Sequence, residues 1–199
     1  NTKMKDAIIT LLNIVGDLGT GIIMIDTTTI VTGYLYNQYH IRENQAYAES
    51  QKAMILSAHK GMWNKYAGLG VTQVGLKGQI AQFFTKHDTL CYFKNNAQAS
   101  DLEEAIKDPG YQSIAVIGHG CRKSWEAIDR TVWLQDIEKW AKDVEPKEGF
   151  FLQMTCGTKT GRPLGYPIMK NPERCLGYDR PVKTFSFINA FEKIKILKE

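Results

Sequence analysis

Ser113-Ile114-Ala115-Val116-Ile117-Gly118-His119-Gly120 and Phe150-Phe151-Leu152-Gln153-Met154-Thr155-Cys156-Gly157 are the two stretches on which the fold turns. Each is a short apolar run that ends in a chemically reactive side chain followed by glycine. Apolar runs without polar alternation suit strands of a sheet covered on both faces. Sheets of that parallel kind carry their functional groups in loops at the carboxyl ends of strands. The expectation is that His119 and Cys156, 37 residues apart, meet at one edge of such a sheet.

Outward from these runs, strand-like and helix-like segments alternate. Val71 to Leu76 reads as a short strand, Gln79 to Lys86 as a helix, and Thr89 to Phe93 as a strand. Ser100-Asp101-Leu102-Glu103 has the form of a capping box, which predicts a helix from there to Lys107, stopped by Asp108-Pro109-Gly110. A loop or hairpin around Trp125 to Val132 follows the first run, and Leu134, Ile137 and Trp140 at helical spacing predict a helix to Lys142. This alternation predicts an α/β fold with a mostly parallel sheet flanked by helices.

Before the break at Gly68-Leu69-Gly70 the pattern differs, and the break is the expected domain boundary, with residues 1–69 as an N-terminal helical segment and 70–199 as the globular domain. Ile41 to Tyr66 reads as an amphipathic helix with Tyr47, Met54, Ala58, Met62 and Trp63 on one face. Ala7 to Tyr36 contains no Lys or Arg and keeps roughly helical apolar spacing, so residues 7–36 are long enough to span a bilayer. Asp17 and Asp26 oppose that reading, at roughly 2.5–3.5 kcal/mol each near a membrane centre. A membrane or assembly segment and a buried soluble element both stay open.

At 199 residues, 43% hydrophobic and 23% charged, the chain is large enough for one domain with a real core plus an appendage. From Thr158 onward nine Lys/Arg face four Asp/Glu, an excess that suits a solvated face. It lacks the dense basic stripe and interleaved aromatics of a nucleic-acid surface, so no nucleic-acid partner is expected. Cys91, Cys121, Cys156 and Cys175 match no disulfide framework and no pair of zinc knuckles, which points to a reducing compartment. No cleavage site follows a short apolar core, so a cytoplasmic location is expected, with membrane contact through residues 7–36 as the open variant.

A thiol attacks as thiolate, and a free cysteine needs a nearby base or cation to react at neutral pH. His119 is suited to deprotonate Cys156 and later to protonate a leaving amine. Gly120 would let the backbone approach a substrate, so that its amide and that of Cys156 hold a developing oxyanion, worth about 3 kcal/mol per donor. Metal binding is a weaker reading, because His119 and Cys121, two apart, lack a clear fourth ligand.

The order of these features resembles the caspase-like cysteine peptidases, and within them the CHAT-type domains. The resemblance runs from Thr89 to Phe191. It rests on an apolar strand ending at His119-Gly120, an Asp-containing hairpin at Asp129, Leu134-Gln135-Asp136-Ile137 opening a helix, an apolar strand ending at Cys156, and the Gly-Tyr run within Arg174–Val182. Thr155 stands where such domains often carry a small residue before the nucleophile. The resemblance implies a His119–Cys156 dyad, an acyl-enzyme intermediate, Gly120 as oxyanion donor, no cofactor or metal, and a protein or peptide substrate. It also implies effector roles in defence or cell death, with room for a regulatory partner or self-assembly. The alternative from another class is a non-catalytic caspase-like scaffold working in membrane-associated or oligomeric assembly. Retention of both His119 and Cys156 favours the enzyme.

Overall fold

A computed structural model describes residues 51–58, 69–155, 161–178 and 194–197, with backbone alone for 69–75. Its elements are β1 (Lys52–Ser57), α1 (Leu69–Thr85), β2 (Leu90–Asn95), α2 (Ala99–Lys107), β3 (Tyr111–Ile117), β4 (Gly120–Cys121), β5 (Ser124–Glu126), β6 (Thr131–Trp133), α3 (Leu134–Ala141), β7 (Phe151–Met154), β8 (Cys175–Gly177) and β9 (Lys195–Ile196). Six strands form one sheet in the order β2-β1-β3-β7-β8-β9, parallel throughout except for β9, which runs antiparallel to β8. A small antiparallel sheet, β4-β5-β6, is inserted between β3 and α3. The fold is therefore α/β, with a mostly parallel sheet flanked by helices.

The apolar runs are strands because both faces of the sheet are covered. Along β3, Ile114 and Val116 join one core cluster, with Leu102 and Ile106 of α2 and Ile137 and Trp140 of α3. Ala115 and Ile117 point the other way, into a cluster with Leu76, Ile80 and Phe84 of α1. The two-residue period of a strand thus feeds two cores at once, and neither face has a place for alternating polar residues.

Two expected elements differ from those observed. The helix expected over Ile41–Tyr66 is contradicted at Lys52–Ser57, which forms β1 and pairs with β2 on one side and β3 on the other. Its apolar run serves both cores, Ala53 and Ile55 on one face and Leu56 on the other. A run this short satisfies helical and strand spacing alike, and the hydrogen bonds of two neighbouring strands decide between them. The sheet of the globular domain therefore draws on residues that precede the expected boundary at 69/70. The strand expected over Val71–Leu76 is likewise part of α1, whose Leu76, Ile80, Ala81 and Phe84 bury a continuous face. Weak β-propensity yields there to packing on the sheet. Residues 7–36 lie outside the described residues. Among the described residues no helix is long and apolar enough to cross a membrane.

Other elements fall close to expectation, with shifts at their ends. α2 starts at Ala99 and is capped differently from the expected Ser100/Glu103 pair: the Asp101 carboxylate accepts from the Gln98 N–H at 2.7 Å, and Asp129 accepts from the Ala99 N–H at 2.8 Å. Slight burial raises the Asp129 carboxyl, but the backbone N–H groups of Ala99, Asp129 and Arg130 outweigh it and hold the group below the usual carboxylate range.

Candidate active site

In a parallel sheet of order 2-1-3, consecutive connections leave β1 and β3 in opposite directions, and the crevice between their carboxyl ends is where ligands bind in such folds. His119 leaves the sheet at this point, two residues beyond Ile117. The carbonyl of Ile117 accepts from the Ala58 N–H at 3.0 Å and from the Trp125 indole at 3.2 Å. Gly118 takes φ +149°, and a Cβ there would lie 2.4 Å from the Ala58 carbonyl oxygen. The chain turns sharply between two packed strands, and only glycine fits the turn. The His119 carbonyl then accepts from the Glu126 N–H at 2.9 Å, which ties the histidine backbone to the small sheet. The His119 side chain is exposed.

Gly120 sits in β4 opposite Trp125, with φ +145°. A Cβ would come within 2.3 Å of the Ser124 carbonyl oxygen. Besides the close substrate approach expected of this glycine, the hairpin itself supplies a separate reason for it. Cys121 follows, with its Sγ 3.1 Å from the Ser124 hydroxyl. Among the described residues no three His, Cys, Asp or Glu side chains converge to hold a metal.

β7 lies beside β3, with Ile117 opposite Met154 and the Gly118 N–H 3.4 Å from the Met154 carbonyl. The described chain runs on to Thr155, whose hydroxyl donates to the Cys121 carbonyl at 3.4 Å. Cys156 lies outside the described residues. Cys91 and Cys175 are both buried, and burial pushes the Cys91 thiol far up and the Cys175 thiol to about 12. Neither supplies a thiolate at neutral pH.

Gln153 is the functional candidate that the sequence reading passed over. It lies in β7, 2% exposed. Its Nε2 donates to the carbonyls of Cys121 (2.7 Å) and Arg122 (3.1 Å) and reaches the Thr155 hydroxyl at 3.2 Å, while its Oε1 accepts from the Leu164 N–H at 3.2 Å. The signal was present, since a glutamine inside Phe-Phe-Leu-Gln-Met must find partners if the strand is buried on both faces.

A cavity of about 1000 Å³ opens elsewhere, at the amino-terminal edge of the sheet. Lys86, His87, Lys107, Lys147, Phe150 and Arg174 are among its walls. His87 is held between Phe83 and Phe150, with ring centroids 4.7 and 4.6 Å away, and Arg174 lies over the Phe150 ring. Desolvation and then the nearby Arg174 charge lower its pKa, against a weaker pull from Asp88. Lys147 is 2% exposed and donates to the carbonyls of Asp108 (2.9 Å) and Tyr111 (2.6 Å), binding the loop before β7 to the turn after α2. The volume lies at the opposite edge of the sheet from His119. No protein-family model matches the chain, and no curated protein matches it either.

Proposed function

We propose that the chain is a cysteine endopeptidase of the caspase-like, CHAT-type kind, with His119 and Cys156 as its dyad. The observation that carries this reading is the register of β3 on β7. Ile117 pairs with Met154, His119 follows the first by two residues, and Cys156 follows the second by two. Parallel neighbours in that register send their chains out at the same level of one sheet edge. The order of elements gives further support: β3 ends before His-Gly, Asp129 follows β5, α3 opens with Leu134-Gln135-Asp136-Ile137, and β8 lies parallel beside β7.

In this mechanism the Cys156 thiol gives its proton to the His119 imidazole, and the sulfur attacks the scissile carbonyl carbon. The Gly120 and Cys156 backbone N–H groups receive the oxyanion. Collapse breaks the C–N bond, His119 returns the proton to the departing amine, and a thioester remains. Water then attacks the thioester and gives a proton to His119, and that proton restores the thiol as the carboxylic acid product leaves.

The test is labelling by a thiol-directed peptidyl probe together with peptide turnover. Cys156→Ala should abolish both and His119→Ala should abolish turnover, while Cys91→Ala and Cys175→Ala leave both intact. Equal labelling of all four cysteines would remove the basis for the assignment.

A further inference from the structure

We propose that Gln153 is the positioning residue of this site, its side-chain amide coupling the turn at Cys121 and Arg122, just beyond His119, to the backbone at Leu164. The proposal rests on the peptidase reading above and adds a device that holds the two halves of the site in register.

The geometry of the amide is unambiguous. Cys121 and Arg122 offer carbonyls, which only accept, and Leu164 offers an N–H, which only donates. That set fixes which end of the amide faces which loop. The two carbonyls belong to the turn that begins two residues beyond His119, and Leu164 lies eight residues beyond Cys156. A single planar group in β7 therefore joins that turn to the backbone at Leu164. Thr155 adds a parallel strut, accepting from the Gln153 amide and donating to the Cys121 carbonyl. Gln153 touches neither reacting atom in the proposed mechanism, so it acts through the placement of the loops.

Its position is costly unless those bonds matter. The flanking Leu152 and Met154 are core residues, and an apolar side chain at 153 would avoid desolvating an amide. The amide spans sequence separations of 31 and 32 residues on one side and 11 on the other. Such a link joins segments far apart in sequence through one buried side chain, in addition to the backbone bonds that Gly118 and His119 make.

The test follows the reactivity of Cys156 toward a small alkylating agent, iodoacetamide, across pH in the full chain, with near-UV circular dichroism as the check on folding. The wild type should alkylate with the pH profile of an activated thiolate, and His119→Ala should return Cys156 to that of an ordinary thiol. In a folded Gln153→Met the proposal predicts a profile moved toward that of His119→Ala and a kcat for peptide cleavage lowered roughly tenfold or more, with KM less affected. A folded Gln153→Met with the wild-type profile and kcat would overturn it. If that variant does not fold, Thr155→Val decides, since it removes only the second strut: the profile should move in the same direction by a smaller amount, and an unchanged profile would overturn the proposal. Failure of the peptidase reading looks different, because Cys156 would then show an ordinary profile in the wild type and no response to His119→Ala.

Discussion

Lys147 gives the most quantitative test of the fold. Burial lowers its pKa from the ordinary 10.5 to about 8, against a weaker raising pull from Asp108. Between those two values the unfolded chain still carries a proton that the folded chain has released, so stability rises with pH across that window. Below about pH 8 both states are protonated and the cost of the buried charge is constant. Above about 10.5 both are neutral and the cost is gone. At about 1.36 kcal/mol per tenfold change in protonation, the full span corresponds to roughly 3 kcal/mol, and solvent in the adjoining cavity trims this to about 2–3 kcal/mol. Lys147→Met isolates the effect. It deprives the Asp108 and Tyr111 carbonyls of a donor, at about 1–3 kcal/mol each, and it also removes the buried charge. Near pH 7 these changes offset, and the variant should lie within roughly 2 kcal/mol of wild type. The assay is urea unfolding at intervals from pH 7 to 10.5, with the stability difference between the two proteins plotted against pH. That difference should grow in favour of the wild type by about 2–3 kcal/mol across the window. A flat difference would mean that the two carbonyls solvate the ammonium as well as water does, and the argument from burial would fail.

Two further outcomes test the frame of the site. Gly118→Ala should cost roughly 2 kcal/mol or more in thermal unfolding, because its φ is +149° and its Cβ would meet the Ala58 carbonyl oxygen; a loss below about 0.5 kcal/mol would show that the turn relaxes freely. A chain that begins at Gly70 lacks β1, which pairs with both β2 and β3, so it should show no cooperative unfolding transition, and a native-like transition would refute the central place of β1.

The position of His119 was legible because it depends on local signals. An apolar run ending in Gly-His-Gly reads as a buried strand opening into a loop, and β3 stops at Ile117 accordingly. The stop of α2 at Lys107 was equally plain, since Asp108-Pro109-Gly110 cannot continue a helix. Its start was legible only to within two residues. Asp129, which caps Ala99 across a separation of 30 residues, cannot be paired with it from sequence.

What the sequence by itself determined is the α/β class and the runs that become β3, β7 and α3. In each of these, period, length and flanking residues agree with one another. Tertiary structure decided the rest. Lys52–Ser57 is a strand because two neighbours supply its hydrogen bonds, and Val71–Leu76 is helical because α1 lies along the sheet. The partners of Gln153 were likewise invisible: a buried amide announces that it needs donors and acceptors, but which loops supply them depends on how distant segments come together. Local preference is worth tenths of a kcal/mol per residue, whereas burial of a whole side chain is worth about 1.5–3 kcal/mol, so where the local signals are ambiguous the packing chooses.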